Sequence, residues 1–192
     1  MTELPGTYRE ADASPVEMAD AKSAWAAEAR IALEHRAATY NGLFYSGELA
    51  REVQDRSRIR TSVPTHRWIG DVLGQVGRDC HDLGEPLLSA LCVRQDGTIG
   101  DGYGSALVEL TGGTAPPDLD LHAAEERLRC YRHFGATLPS DGGRPTLTPE
   151  VMKRRRTAAR NAKAEVRRPV CPSCNLQLPA TGQCDNCGAA FR

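Results

Sequence analysis

The sequence predicts a mainly helical α+β chain built in parts, and three observations carry that reading. Between residues 14 and 110, apolar positions recur in the order helix, helix, helix, hairpin, which is the order of a winged-helix domain. Residues 151–170 concentrate positive charge and end at a proline, as an exposed basic helix would. The final stretch carries two Cys-x-x-Cys pairs nine residues apart, the spacing of a zinc ribbon. The expected parts are a disordered tail over 1–13 and a helical winged-helix-like domain over 14–138. A linker over 139–148, a basic helix over 149–168 and a zinc ribbon over 169–192 follow.

Each element has its own local signal. Ser14-Pro15-Val16-Glu17 reads as a capping box with proline at the first helical position, opening a helix to about Thr39. Met18, Ala21, Trp25, Ala29, Leu33 and Arg36 recur along it at near-helical spacing, and Asn41-Gly42 supplies a left-handed stop. Ser46 to Val53 reads as a short helix with Leu49 and Val53 on its buried face. Asp55 to Pro64 reads as a basic loop. A third helix spans about Thr65 to Leu83, burying Trp68, Ile69, Val72, Leu73, Val76 and Cys80. Leu87 to Val93 has the length of a strand, and Gln95-Asp96-Gly97 is a turn signal. Thr98 to Leu110 is expected to return as a second strand, irregular because of Gly100, Gly102 and Gly104. Asp118 to Phe134 reads as a helix, Pro139 to Pro145 as a flexible linker, and Thr148-Pro149 as the cap of a last helix.

Composition narrows the function classes. The chain has 192 residues, and no window approaches the ~18 consecutive apolar residues of a membrane span. The N-terminus is acidic and lacks the apolar core of a secretory signal, so a cytoplasmic protein without a membrane partner is expected. Arginine outnumbers lysine 21 to 3, a mark of GC-rich coding as in actinobacteria and their phages. The net charge of −1 hides an asymmetry. Residues 1–150 hold 15 Lys/Arg against 23 Asp/Glu, a net −8. Residues 151–170 hold Lys153, Arg154, Arg155, Arg156, Arg160, Lys163, Arg167 and Arg168 against Glu165 alone, a net +7. A dense one-signed block suits a phosphate backbone through counterion release. A solvated linker helix and an acidic protein surface, including this chain's own body, are the competing readings.

Seven cysteines in a reducing compartment point to metal before disulfides. Cys171, Cys174, Cys184 and Cys187 form the paired knuckles, and each tight turn can bring two thiolates to one Zn2+. Leu176, Leu178 and Phe191 are too few for a core, so the metal must supply the folding energy there. Four sulfur ligands leave no open position for water, which makes the site structural. Iron in the same tetrahedral set, two disulfides and free thiols are the alternatives. Cys80, Cys92 and Cys130 fall in apolar patterns and read as core residues. His122, Cys130 and His133 share one predicted helix but lack a fourth ligand, so a structural role is expected for them.

Residues 45–103 resemble the DNA-binding domain of the O6-alkylguanine-DNA alkyltransferases and their catalytically dead alkyltransferase-like relatives. Ser46-Gly47-Glu48-Leu49-Ala50 corresponds to that family's Tyr-x-x-Leu-Ala helix start, with Tyr45 one place early. Arg67-Trp68-Ile69-Gly70 corresponds to its Arg-x-Val-Gly recognition-helix opening, and Gly97 to Tyr103 to its Gly-x-x-Gly-x-Tyr wing with one residue added. The connections between Ala50 and Arg67, and between Gly70 and the strand, are longer than the family's. The family's nucleophile lies eight residues before the first wing glycine, where this chain has Ser89, followed by Ala90 in place of the histidine. Cys92 is three places off and has no histidine neighbour, so alkyl transfer is not expected. The resemblance implies that Arg67 opens a groove-entering helix flanked by Arg56, Arg58, Arg60 and His66, giving phosphate and base contacts. Read alone, Arg67 is equally a surface arginine at a helix start.

The expected function is a non-catalytic nucleic-acid-binding protein, with DNA as partner and RNA also open, in a regulatory or mobile-element setting. The alternatives are a protein-interaction adaptor working through the ribbon, or a subunit of a nuclease or nucleic-acid-modifying system. No arrangement of catalytic residues makes a positive case for an enzyme.

Overall fold

The computed structural model describes residues 6–164, 170–176, 178 and 183–189. It is a mainly helical α+β structure that divides into two compact units after Met152. Unit one is built around three helices: α1 (Met18–Ala37), α2 (Ser46–Ser57) and α3 (Ile69–Asp82). Alanines at 21, 26, 29 and 32 line the buried side of α1 and let α2 and α3 approach closely. Trp25 of α1 and Trp68 fill the centre, with ring centroids 4.3 Å apart. Both indole N–H groups are satisfied, Trp25 donating to the Ile59 carbonyl at 3.2 Å and Trp68 to the Val63 carbonyl at 3.1 Å. Leu33, Leu49, Val53, Val72, Val76 and Leu91 complete this core, all fully buried.

Residues 6–13 are not a loose tail, and residues 1–5 of the expected tail lie outside the described residues. Strand β1 (Thr7–Arg9) pairs antiparallel with β3 (Ile59–Thr61), and Tyr8 bridges to Pro15. Pro15 is therefore extended, the Ser14 capping box does not form, and α1 begins only after Glu17. The reason is long-range: Thr7 and Thr61 hydroxyls meet at 2.9 Å, and the Glu10 carboxylate accepts from Arg58 and Arg60. The expected basic loop over 55–64 is likewise ordered, as the end of α2, a left-handed turn at Arg58 (φ 57°) and β3.

The expected hairpin over 87–110 is the largest correction. Leu88–Leu91 is a 3-10 turn, and only Cys92–Val93 is strand (β4), pairing parallel with β2 (Phe44–Tyr45). Beyond the turn at 94–97, a single bridge joins Val93 to Ile99, and Asp101–Thr111 is a helix, α4. Tyr103 and Leu107 are buried one turn apart, a helical rather than an alternating pattern. Gly104 lets α4 close on α5 (Leu119–His133), since a side chain there would meet Leu119 at 3.0 Å. Its glycine thus serves packing between helices instead of marking an irregular strand.

The expected linker is pinned to the body. Buried Arg127 of α5 donates to the carbonyls of Ala90 and Thr146, both at 3.1 Å. The Thr148 hydroxyl donates to the Gly97 carbonyl at 2.8 Å and caps α6 (Pro149–Ala164) by accepting from Val151. Gly97 has φ +75°, and a Cβ there would sit 2.6 Å from the Thr148 hydroxyl and 2.7 Å from the Glu150 carboxylate. Gly97→Ala should therefore destabilise unit one by about 1–3 kcal/mol. Urea unfolding of the variant checks this, and an unchanged midpoint would refute it.

Candidate metal centre and basic helix

The four knuckle cysteines come together as expected. Their sulfurs all lie within 4.8 Å of one another and could hold one metal ion. Cys171 and Cys187 sulfurs are 3.5 Å apart, Cys174 and Cys184 3.4 Å, and Cys174 and Cys187 3.9 Å. All four are free thiols, and these separations are far beyond the ~2.05 Å of a disulfide.

The backbone explains how so short a sequence does this. Each knuckle is closed twice. Asn175 N–H donates to the Cys171 carbonyl and Cys171 N–H to the Leu176 carbonyl, both at 2.8 Å. The second knuckle repeats the pattern, with Gly188 donating to Cys184 at 2.8 Å and Cys184 to Ala189 at 3.0 Å. Asn175 (φ 55°) and Gly188 (φ 71°) occupy the same left-handed position four residues after the first cysteine of each knuckle. Glycine and asparagine are the residues that adopt it most readily.

The electrostatics favour a cation. Burial acts to raise the Cys171 thiol, but N–H groups of Ser173 and Cys174 and the adjoining thiols outweigh it and bring it to about 6. N–H groups of Cys187 and Asn186 similarly lower Cys184. Cys187 is instead pushed up to about 12: the N–H of Ala189 acts to lower it, but Cys171 and Cys184 beside it prevail. Four sulfurs this close cannot all ionise unless a positive ion sits among them. Apolar support is slight, as expected: Leu178 is buried beside Cys171 and Cys184, whereas Val170 and Leu176 are half exposed. Phe191 lies outside the described residues.

The arginines expected to flank the groove-entering helix are held in ion pairs. Arg56 pairs with Glu28 at 2.7 Å and with Glu52 at 3.7 Å. Arg58 pairs with Glu10 at 3.3 Å, and Arg60 with Glu10 at 3.1 Å and Asp55 at 2.5 Å. Hydrogen bonds from Arg60 and then Arg58 hold the Glu10 carboxyl below its ordinary range. His66 and Arg67 are exposed, in a 3-10 turn (Thr65–Arg67) just before α3.

The basic helix α6 is exposed along most of its length. Thr148 and Val151 anchor its first turn, and every position from Met152 to Ala162 is at least partly open to solvent. Lys153, Arg154, Arg155 and Arg156 are consecutive, so they encircle one turn, and Arg160 follows Arg156 on the same side. Glu150, its only acid, lies at the N-terminus, where the helix dipole favours it, and accepts from the Tyr45 hydroxyl at 2.9 Å. The Lys163 side chain, Arg167 and Arg168 lie outside the described part of the molecule.

Cys80, Cys92 and Cys130 are core residues, and burial pushes Cys92 up to about 12. His122 accepts or donates through Nδ1 to the Tyr103 hydroxyl at 3.1 Å, a structural role. Among the described residues no helix is long and apolar enough to cross a membrane. One feature went unread in the sequence: a cavity of about 580 Å³ between α2, α3 and α4. Its signal was a glycine in the first turn of each helix, at 47, 70 and 102.

Comparisons with known protein families, with curated proteins and with solved structures find no match to this chain. Fold and site together define a mainly helical α+β body followed by a module whose four clustered cysteines could hold a metal ion.

Proposed function

We propose that this chain is a non-catalytic DNA-binding protein whose α6 grips the phosphate backbone and whose C-terminal module is a zinc ribbon. The observation that carries the first half is the exposed, one-signed surface of α6 from Lys153 to Arg160. The second half is supported by the sulfur spacing. Four ligands at ~2.3 Å around tetrahedral zinc stand about 3.8 Å apart; three of the six sulfur pairs stand 3.4–3.9 Å apart and all lie within 4.8 Å. In this reading α2 and α3 act as the helix pair of a winged-helix domain, and the Val93–Ile99 bridge stands in for its hairpin. Arg67 adds a phosphate contact from the turn before α3. The salt-bridged Arg56, Arg58 and Arg60 contribute little, because their charge is already compensated.

A salt series with a random 20-base-pair duplex, a length of roughly two helical turns, tests the proposal. Affinity should fall steeply between about 50 and 200 mM salt, and the slope of log K against log salt should shrink by about 2–3 when Arg154, Arg155 and Arg156 become alanine. No binding at the lowest salt, or an unchanged slope, would refute it. A second reading, the ribbon as a protein-docking module, is favoured by Val170 and Leu176, which are 50% and 51% exposed. It predicts that duplex binding, if any, is indifferent to those arginines.

A further inference from the structure

We propose that the cavity between α2, α3 and α4 binds a small amphipathic anion, an apolar body carrying a phosphate or carboxylate group. Its volume, about 580 Å³, lies within the ~300–1,000 Å³ of small-molecule sites. Helices α3 and α4 meet near Gly77 and Leu110 and leave the space between their N-terminal turns open. The start of α2, at Ser46 and Gly47, closes a third side. Three helix N-termini thus border one cavity; α2 carries a capping box through Glu48, and those of α3 and α4 contribute orphan N–H donors and the positive end of a dipole.

Two features distinguish this from ordinary helix starts. Neither α3 nor α4 has a side chain capping its first turn. Gly70 and Gly102 face the cavity with open space where a Cβ would be, so their backbone is accessible to a ligand. The second is independent of the helices. Ser89 lines the cavity from the 3-10 turn, is nine-tenths buried, and its hydroxyl has no hydrogen-bond partner among the described residues. That hydroxyl opens on the cavity, since no buried side-chain oxygen among the described residues is left without a partner, and it can donate to an acceptor placed there.

The rest of the wall sets the ligand's body. Ile69, Leu73, Val93, Ile99, Tyr103 and Ala106 present apolar surface. At the rim the Asp101 carboxylate is paired to the Arg94 guanidinium, so that carboxylate's charge is compensated. An inorganic ion would leave the apolar wall unused, and a neutral hydrocarbon would leave the donors unpaired. The amphipathic anion satisfies both.

The test is an amide-resolved NMR titration of the full chain with phenyl phosphate and, separately, benzoate. Saturable shifts centred on Gly70, Ser89 and Gly102 are expected with at least one of them, and which one identifies the anionic group. Benzyl alcohol, with the body but no charge, and inorganic phosphate, with the charge but no body, should each bind at least about tenfold more weakly. Ser89→Ala should weaken binding about three- to tenfold, and Gly70→Leu, which projects into the open space, should block it. The proposal is overturned if neither anion shifts these amides, if benzyl alcohol binds as tightly, or if phenyl phosphate shifts only α6. The last outcome would mean that the basic helix, not the cavity, takes the phosphate.

Discussion

Cys174→Ser should remove the metal and unfold the C-terminal module while leaving the body intact. One ligand of four is lost, and the remaining three sulfurs cannot close a tetrahedral shell. The module has little else to hold it. Leu178 is its only buried aliphatic among the described residues, so on the proposed reading metal binding, worth on the order of 10–16 kcal/mol in comparable peptides, supplies its folding energy. The wild type should carry one zinc per chain by elemental analysis, and the variant should carry none. Amide signals of 170–176 and 183–189 should collapse to unfolded positions, and a strong chelator should do the same to the wild type. Signals of α1 to α5 should not move, because their core lies wholly within unit one. A variant that keeps its metal, or a module that stays folded without it, would contradict this.

Trp25→Ala should cost unit one about 3–5 kcal/mol, a large share of the ~5–15 kcal/mol typical of a domain. Trp25 is fully buried, so its removal leaves a cavity against Trp68, whose ring lies 4.3 Å away. It also strands the Ile59 carbonyl at the start of β3. Because β3 holds β1, the N-terminal strand should loosen with it. Trp25→Phe should cost less, since it keeps most of the packing and loses the indole N–H. Urea unfolding of the three proteins measures both differences. A Trp25→Ala midpoint close to wild type would show that this pair is not the centre of the core.

The four-cysteine cluster was legible because everything it needs is local. Two cysteines three residues apart, and a residue tolerant of positive φ after each pair, specify a knuckle whatever surrounds it. The helices around Trp25, Leu49, Val72 and Leu128 were legible for the same reason, since their apolar positions repeat within a few turns. The hairpin was misread because Gly100, Gly102 and Gly104 resemble breaks in a strand. Their roles are set by α5 and the cavity, which no local window contains. The resemblance placed the arginines at 56, 58 and 60 beside a groove-entering helix, and their ion pairing was not legible. Their partners Glu10 and Glu28 lie 28 to 50 residues away in sequence.

By itself, then, the sequence determined the four-sulfur cluster, the helical character of the body and the exposed charge of α6. Each follows from spacing within a turn or two of chain. Only the tertiary structure decided that residues 7–9 become a strand, that Thr98–Leu110 is largely helix, and which arginines are neutralised. It also decided that three helix starts enclose one cavity. Those outcomes depend on pairings between distant segments, whose free energy is shared by residues that carry no mark of one another in the chain.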